Sequence, residues 1–463
     1  MNLDEVRMVV ETAIKFGAAE AEAFYLKNDV FTARIANRKI VEAKGAVDGG
    51  LAVRVLTRDN GLGFSSTSKL DEEGIREAIS RAIKIASKRK LKFKYSMPKP
   101  QKYSIVEGTF DGELANLTRE HAVELAHKAI NSAEEYSDKI VDIAGTINIV
   151  KYQVRIVNSN GLEAEDRGTF IEGVIATTAK DYGVESEGYE SLKCRYLSDF
   201  DPEFIGRESA KMAVDGLKAK RLTEGTYTAI FAPRASADIA LRVGTFSNPI
   251  IAKTTLQFFL GKEGELVASE KLTILDDPRM PKGPHSCSID DEGVPTRTKY
   301  LLENGVFKGF YYDSKTAAME SKESTGNGFR PPGPAGFTRL PGKLYITEPT
   351  PRPSTLVIRS GSDSLDDLIS EVKNGLLVKH LHYARISNTV TGDYTAVLRM
   401  GLYKIEHGEI AYAVKKSRIL DNILKMLSNV DAVANDVRVA GQWGNYAVAP
   451  SLRIKQLKVV PVD

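Results

Sequence analysis

The stretch SIDDEGVPTRTKYLLENGVFKGFYYDSKTAAMESKESTGNG, residues 288–328, combines an acidic turn, a β-hairpin and a Thr-Gly-Asn tripeptide. Asp290, Asp291 and Glu292 stand directly before Gly293, and Thr325-Gly326-Asn327 closes the stretch. Between them, extended runs at Thr296–Leu302 and Val306–Tyr312 flank Glu303-Asn304-Gly305, whose Asn-Gly pair favours the positive φ angles of a tight hairpin turn. A short helix is expected after the hairpin.

The acidic triplet allows two interpretations. Consecutive carboxylates can hold a cation, but acids before a glycine turn commonly accept hydrogen bonds from backbone N–H groups instead. The chain has no HExxH, GxSxG, P-loop or GxGxxG motif in a convincing context. Motifs alone therefore lead no further than a soluble protein of two domains.

Length and composition describe a globular protein. With 463 residues the chain is too long for one ordinary core, and its 42% hydrophobic and 27% charged residues are typical of soluble proteins. The net charge is only +3, and the basic residues 88–94 are interpreted as solvated charge at the end of a helix. Nucleic acid is therefore not an expected partner.

Two features concern the compartment. Cys194 and Cys287 have no CxxC partners, which excludes a disulfide framework and a four-cysteine zinc site. The N-terminus lacks the basic start and apolar core of a signal peptide, and no apolar run approaches about 20 residues. A cytoplasmic protein without a membrane span is expected.

Periodicity predicts an α+β fold in two parts. Residues 1–222 are predicted to be an N-terminal α+β domain of helix–β-meander–helix type, with strands that include Glu20–Tyr25 and Val30–Ile35. The pattern starts again at Thr118, and VRVLTRDNGL (53–62) resembles VRIVNSNGL (154–162), each with Asn-Gly placed for a type I′ turn. Similar hairpins produce similar turns, so a duplication stays open.

Residues 223–463 are predicted to be a β-rich C-terminal domain with a few helices, one of them at Arg418–Asn429. Residues 326–353 hold seven prolines and five glycines, so this segment is either ordered by its surroundings or mobile. The role of residues 330–353 stays open.

Histidines offer little chemistry. His380 and His382 alternate as in a strand and share one face, which is half of a zinc site, but no second half is visible. His285 and Cys287, two residues apart in a Pro/Gly loop, have the types for a ligand pair or a thiol nucleophile without an identifiable base. A structural role is favoured for all four.

Several segments, taken in order, resemble the TldD/PmbA family of metallopeptidases and their metal-free relatives, once called modulators of DNA gyrase. The likeness runs almost end to end. The matching segments are Gly49–Leu56, Ser288–Val294, Asn304-Gly305, Thr325-Gly326-Asn327, Gly375–Val378, Asn388–Tyr394 and Glu406–Ile410.

The resemblance also shows a difference. Catalytic, TldD-like members hold zinc with HExxxH on a helix and a late cysteine. Here that helix corresponds to Pro233–Phe246, with Leu241 and Phe246 at the histidine positions and Arg242 at the acid, and Val439–Tyr446 contains no cysteine. These residues cannot ligate zinc or activate water, so the chain looks like the PmbA/TldE kind, with neither metal nor cofactor of its own.

The resemblance implies a non-catalytic subunit that pairs with a zinc-bearing TldD-like subunit, as a heterodimer or larger assembly, or that self-associates. The substrates would be short or unfolded peptides, bound by pairing to a sheet edge. Candidate cleft or interface residues are Asp290, Asp291, Glu292, Thr325, Gly326, Asn327, Thr391, Gly392 and Asp393. A stand-alone peptide-binding or regulatory protein, and a divergent hydrolase using His285 or Cys287, are the alternatives.

Overall fold

The computed structural model describes residues 1–330, 342–442 and 444–462 of the chain. The N-terminal part contains α1 (Leu3–Lys15), β1 (Glu20–Ala36), β2 (Lys39–Leu56), β3 (Leu62–Thr67), α2 (Glu72–Ala86), α3 (Gly112–Ala115), α4 (Arg119–Tyr136), β4 (Ile140–Asn158), β5 (Glu163–Asp181), β6 (Val184–Cys194) and α5 (Pro202–Gly216). A helix, a β-meander and a helix thus follow one another twice, as the periodicity predicted.

The strands of this part form one antiparallel sheet in the order β3-β2-β1-β4-β5-β6, with β1 paired to β4 at its centre. The predicted strands at Glu20–Tyr25 and Val30–Ile35 are one continuous strand. This part of the prediction was wrong because residues 26–29 pair with β2 on one side and with β4 on the other.

Helices cover one face of this sheet. Asp71 caps α2 as predicted, since its side chain accepts a hydrogen bond from the Gly74 amide at 2.8 Å. The apolar stripes of α1 and α2 pack on one group of odd-numbered strand residues, which includes Val53. The apolar stripes of α4 and α5 pack on a second group of odd-numbered strand residues, which includes Ile147. Odd-numbered residues of β1 and β4 therefore face helices.

The opposite face packs against the second part of the chain. Even-numbered residues, including Phe24, Leu26 and Val154, form a hydrophobic cluster with Ile289, and Tyr345 packs against it. Because neighbours along a strand point to opposite faces, both faces of the sheet are covered. The acidic turn that follows Ile289 is thereby held over the sheet.

The two predicted type I′ turns are not formed. Such a turn needs positive φ at both central residues, but only Asn60 and Gly161 have it, at 62° and 85°. The loops are longer than predicted; in the first, Leu56 pairs with Leu62 across five residues.

The second part is strand-rich. It contains β7 (Gly225–Phe231), α6 (Pro233–Phe246), α7 (Pro249–Thr254), β8 (Ile274–Asp276), β9 (Lys299–Glu303), β10 (Val306–Phe307), α8 (Ser314–Met319), β11 (Gly328–Phe329), β12 (Thr350–Pro351), β13 (Leu356–Ile358), α9 (Leu365–Ser370), β14 (Asn374–Val378), β15 (His382–Asn388), β16 (Asp393–Leu398), β17 (Leu402–Glu406), β18 (Glu409–Ala413), β19 (Ser417–Asn422), α10 (Ile423–Ser428), β20 (Val430–Val433), β21 (Arg438–Gln442), β22 (Asn445–Ala449) and β23 (Leu452–Pro461).

These strands form two main sheets around one core. One has the order β15-β16-β19-β23-β7-β14-β17-β18, with β20 beside β23, and the other has the order β10-β9-β8-β13-β22-β21; β11 pairs with β12 separately. Val243 and Phe246 of α6 share a core with both sheets. The chain therefore has the predicted α+β fold with a strand-rich second part, while the predicted division between residues 222 and 223 falls between α5 and β7 and stays a prediction.

Two local predictions need correction. The hairpin after the acidic turn is shorter than predicted, because Glu303 pairs with Val306 and only Asn304 and Gly305, at φ 48° and 76°, form the turn. The helix predicted at Arg418–Asn429 is β19 followed by the short α10, because β19 pairs with β16 and β23.

Within the described residues, no helix has the length and apolar character needed to cross a membrane. Residues 331–341 of the proline-rich segment lie outside the described part of the chain.

Candidate functional site

The predicted site residues lie in two places. The acidic triplet lies next to the segment that carries Thr325-Gly326-Asn327, because Asp290 accepts from the backbone amide of Gly328, the residue after Asn327, at 2.8 Å. Thr391 and Gly392 lie in the β15–β16 turn and Asp393 begins β16; the Asn422 side chain donates to the Thr391 carbonyl oxygen at 2.5 Å.

Asp290 organises the acidic turn through backbone hydrogen bonds. Its carboxylate accepts from the amides of Glu292 and Val294 at 2.9 Å each, and from that of Gly328 at 2.8 Å. Burial and the neighbouring Glu292 charge raise the pKa of Asp290 well above its usual range. Of the two interpretations of the triplet, the structure favours the one in which acids accept backbone N–H groups.

Glu292 belongs to a buried ionic network with the N-terminal sheet. Arg54 of β2 donates to Glu292 at 2.8 Å and, through Nε, to Glu22 of β1 at 3.0 Å. At most 2% of any of these three side chains is exposed. Burial alone would raise the pKa of Glu292, but Arg54 and the Ser314 amide outweigh it, and the pKa lies below the usual value.

Arg330 completes this network. Its Nη2 lies 3.6 Å from Glu22, and its guanidinium lies 4.1 Å from the ring centre of Phe24. Burial lowers the pKa of Arg330 to about 10. The network binds the acidic turn and the strand after Asn327 to the centre of the N-terminal sheet, so it joins the two parts of the chain.

Asp291 holds the chain on both sides of residues 331–341. It accepts from the Arg330 amide at 2.8 Å through Oδ2, and Oδ1 lies 3.1 Å from Nζ of Lys343. The Lys343 ammonium also lies 5.5 Å from the ring centre of Tyr152. Asp291 is thus a structural anchor between the acidic turn and the proline-rich segment.

The Thr-Gly-Asn tripeptide is a second anchor. The side-chain Nδ2 of Asn327 donates to Asp276 at 2.7 Å and to the Arg352 carbonyl oxygen at 2.8 Å, and the Thr325 hydroxyl donates to Oδ1 of Asn327 at 2.7 Å. Gly326 has φ 72°, which favours glycine. These contacts account for the residue types of the tripeptide.

His285 and Cys287 are poorly placed for nucleophilic chemistry. Both are buried; burial raises the pKa of Cys287 to about 12 and lowers that of His285 well below its usual range. The Cys287 sulfur has Ser354 Oγ as a partner at 4.0 Å. A buried thiol with so high a pKa stays protonated and is a poor nucleophile, which argues against the divergent-hydrolase alternative.

The residues that the resemblance sets at the family's zinc positions are used for packing on α6. Phe246 is fully buried, with its ring centre 5.2 Å from that of Phe258. Arg242 donates to Asp238 at 2.9 Å and to the Ala384 carbonyl oxygen at 2.8 Å, and Leu241 packs against the core. This set does not fit a zinc ion, which requires nitrogen, sulfur or carboxylate ligands.

His380 and His382 lie side by side, with ring centres 6.4 Å apart. Across residues 1–330, 342–442 and 444–462, no group of three or more His, Cys, Asp or Glu side chains is arranged to hold a metal. Trp443, which belongs to the segment that corresponds to the position of the family's late cysteine, lies outside the described ranges.

The sequence analysis did not identify the buried cations of this ionic network. Arg54 stands within the apolar run VRVL and is only 2% exposed. A charged residue at a buried strand position was the available signal. Arg330 had no such signal, because its partners Glu22 and Phe24 come from a distant part of the chain.

Comparison with known proteins agrees with these observations. Residues 21–86, 112–217 and 224–461 match the models for domain 1, the central domain and the C-terminal domain of the PmbA/TldA metallopeptidases. The crystal structure of TldE from Thermococcus kodakarensis is 25% identical, covers 98% of this chain and 100% of that one, and has a TM-score of 0.86.

Two curated relatives carry metalloprotease names. A metalloprotease of Methanocaldococcus jannaschii is 28% identical over 460 residues, which are 95% of this chain and 94% of the relative. Metalloprotease PmbA of Escherichia coli O157:H7 is 24% identical over 406 residues, which are 84% and 82% of the two chains. With three consecutive domain models matched, the chain belongs to the TldD/PmbA family of metallopeptidases.

Proposed function

We propose that the chain is a non-catalytic, TldE-like subunit of a cytoplasmic TldD/TldE-type peptidase complex. A TldD-like partner would supply the zinc and the catalytic groups, and the substrates would be short or unfolded peptides. This chain would contribute surface, peptide contacts and part of the cleft.

The observation that carries the proposal is the chemistry of α6. By the resemblance, Leu241, Arg242 and Phe246 correspond to the two imidazoles and the carboxylate that a catalytic relative needs. Arg242 is held by Asp238, whose other oxygen accepts from Tyr394 at 2.7 Å. A helix face built from packing and an ion pair supports a role without zinc chemistry.

Peptide binding is supported by the sheet edges. Among the residues that the structure describes, β15 pairs on one side only and ends one main sheet, and β18 ends it on the other side. An edge strand presents unpaired N–H and C=O groups, which can bind an extended peptide regardless of its sequence.

The subunit interface is proposed to lie in the second part of the chain, close to the β15–β16 turn and the Asn304-Gly305 turn. Val390, within the first of these turns, is 85% exposed, and Tyr383, at the start of β15, is 79% exposed. A specific interface buries about 1,600 Å² in total, so exposed apolar side chains on a hairpin are suitable contacts.

Co-expression with a TldD-like subunit from the same genome tests the function. The complex is expected to co-purify and hydrolyse unfolded peptides, and after dialysis this chain alone is expected to hold no stoichiometric zinc. One tightly bound zinc per isolated chain would contradict the proposal and implicate His380 and His382. A stable chain that binds peptides but no TldD-like subunit would support the stand-alone alternative.

The interface is tested with Val390→Asp, and Tyr182→Asp serves as the control. Tyr182 is fully exposed at the β5–β6 turn of the N-terminal sheet, outside the proposed interface. Val390→Asp is expected to weaken association at least about tenfold, because it places a charge in a buried apolar contact, whereas Tyr182→Asp is expected to have no effect. Equal effects of the two changes would contradict the location.

A further inference from the structure

A basic segment begins in the second half of α2 and continues beyond it. Residues 78–106 contain nine Lys and Arg side chains and no Asp or Glu. The whole chain has a net charge of only +3, so the residues outside this segment carry −6. Such a separation of charge within one chain is typical of a surface that binds a polyanion.

Part of this segment is fixed against the β2–β3 loop. The amide of Leu62 donates to the Arg89 carbonyl oxygen at 3.0 Å, and the amide of Leu91 donates to the Asn60 carbonyl oxygen at 3.0 Å. The Asn60 side chain also donates to the carbonyl oxygens of Leu91 at 3.0 Å and Phe93 at 2.5 Å. These hydrogen bonds order the backbone of the segment before any partner binds.

Side chains alternate between the core and the solvent along residues 90–97. The odd positions pack with Leu56 and Leu62 in one hydrophobic cluster, and they are Leu91, Phe93, Tyr95 and Met97. The even positions are exposed, and they are Lys90, Lys92, Lys94 and Ser96. Alternate residues lie at most about 7 Å apart along a chain, so the lysines form a row of closely spaced charges.

Two carboxylates balance part of this charge. Asp59 pairs with Lys90, and Glu348 pairs with Arg89. The second oxygen of Glu348 lies 3.3 Å from Nζ of Lys315, so this carboxylate is shared between two cations. These pairs leave the other cations of the segment uncompensated.

Three lysines have no carboxylate beside them. Among the residues that the structure describes, no carboxylate oxygen lies within 4 Å of the ammonium groups of Lys88, Lys92 and Lys94. Glu20 also contacts the segment, but it accepts from the Ser96 hydroxyl at 2.8 Å and not from a lysine. Salt screens charges only over about 8 Å at physiological ionic strength, so the three ammonium groups act as one positive patch.

The end of α2 accounts for only part of the positive charge. A helix dipole stabilises cations within the last turn, and in α2 that turn carries Lys84. Lys92 and Lys94 lie beyond it. Their exposed and unpaired charge, on a backbone that is already ordered, indicates a partner outside the chain.

We propose that Lys88, Lys92 and Lys94 bind the phosphate backbone of a nucleic-acid duplex, regardless of its sequence. An ammonium group binds phosphate as a point charge and needs no fixed geometry, whereas sequence is read through base edges. Single strands are commonly held by stacking on aromatic side chains, but the rings between these lysines face the core, and Tyr95 is only 6% exposed. This partner is independent of the proposed peptidase role.

Fluorescence anisotropy of the isolated chain tests the patch with short labelled duplexes of DNA and of RNA. Each phosphate contact contributes about 0.9 to the slope of log affinity against log salt, so three contacts predict a slope of about −2.7. The affinity is therefore expected to fall about 40-fold between about 50 and 200 mM salt. Binding of both duplexes, or of one of them, supports the proposal and identifies the source of the phosphates.

A triple variant assigns the binding to this patch. Lys88→Gln, Lys92→Gln and Lys94→Gln together are expected to reduce the affinity for the duplex at about 50 mM salt at least about tenfold, and to bring the salt slope close to zero. All three side chains are exposed, so their replacement removes no buried contact.

The matched control is a second triple variant with the same change in net charge. It combines Lys15→Gln, Lys128→Gln and Lys271→Gln, which are exposed positions on other elements of the chain. Its affinity for the duplex is expected to stay within about twofold of the wild-type value, because phosphate contacts are local.

Three results would overturn the inference. They are absence of duplex binding at low salt, equal losses of affinity in the two triple variants, and tighter binding of a polyglutamate peptide or a single strand than of either duplex. Assembly with a TldD-like subunit is measured separately, so failure of the proposed complex and failure of this patch are distinguishable.

Discussion

Replacement of Arg54 by methionine is expected to destabilise the junction between the two parts of the chain. The substitution keeps much of the side-chain length but removes the cation that donates to Glu22 and Glu292. Both carboxylates would then be buried, at 1% and 0% exposure, with Arg330 as the remaining cation at 3.6 Å from Glu22.

The magnitude follows from this burial. Removal of one partner of a buried ion pair costs about 3–5 kcal/mol, because the other charge is left uncompensated. Glu292 keeps the Ser314 amide, which donates to its second oxygen at 2.7 Å, and Arg330 still acts on Glu22. These remaining contacts place the expected loss near the lower end, at about 3 kcal/mol.

The loss should depend on pH with a definite sign. The folded pKa of Glu292 lies below its ordinary value of 4.5, so the wild-type pairing stabilises the protein above that pH and is lost as the pH falls through the folded pKa. Without Arg54, burial would raise this pKa. The destabilisation is therefore expected to be largest near pH 8 and to shrink below about pH 5.

The assay is hydrogen–deuterium exchange in β1, β2 and residues 288–295, together with urea unfolding at pH 8 and pH 5. Local exchange is preferred because a chain of this size need not unfold in one step. Arg76→Met is the control, since Arg76 pairs with Glu72 on the surface of α2 at 54% and 80% exposure, and such pairs contribute about 0.5 kcal/mol or less. Equal effects of the two substitutions, or a loss that grows toward acid pH, would refute the reasoning.

Three further predictions concern other residues. Asp166→Asn is expected to raise the free energy of unfolding at pH 8 by at most about 3 kcal/mol. Burial raises the pKa of Asp166 to about 6, so its ionisation destabilises the wild-type fold as the pH rises from 4 to 6. Urea unfolding midpoints that are the same in both proteins across this pH range would contradict the prediction. Cys287 is expected to react with iodoacetamide only after the protein is unfolded, as followed by mass spectrometry. Modification of Cys287 in the native protein at pH 8 would contradict this expectation. Gly326→Ala is expected to lower the melting temperature clearly, because the new Cβ would lie 2.4 Å from the Pro295 carbonyl oxygen and the residue has a positive φ. The control Gly112→Ala should change the melting temperature little, because its Cβ would meet no atom within 4 Å. Similar shifts in the two variants would show that the close approach at Gly326 is unimportant.

Local chemistry was readable from the sequence where a residue acts on its own neighbours. Asp71 caps α2, and the turn at Asn304-Gly305 has the positive φ angles that its residues favour. The helix predicted at Arg418–Asn429 was wrong because the first half of that segment pairs with strands near residues 395 and 460. Pairing over such distances leaves no local pattern.

The same limit applies to the site. The family resemblance drew attention to Glu292 and Asn327, but the partner of Glu292 is Arg54, 238 positions earlier. Thr391–Asp393 was grouped with them although it forms a separate turn. Arg330 was missed altogether, since its partners Glu22 and Phe24 lie more than 300 positions earlier in the chain.

The position of β1 in the N-terminal sheet affects the order in which the chain can fold during synthesis. Glu22 pairs with Asn158, 136 positions later, whereas β2 follows β1 directly. At roughly 5–20 residues per second, the inner edge of β1 waits several seconds or more for its partner strand to be made. During that interval a nascent meander exposes an edge that can pair with a second copy of itself. The order of the strands therefore makes the early ribosome-bound chain more prone to self-association than the finished protein.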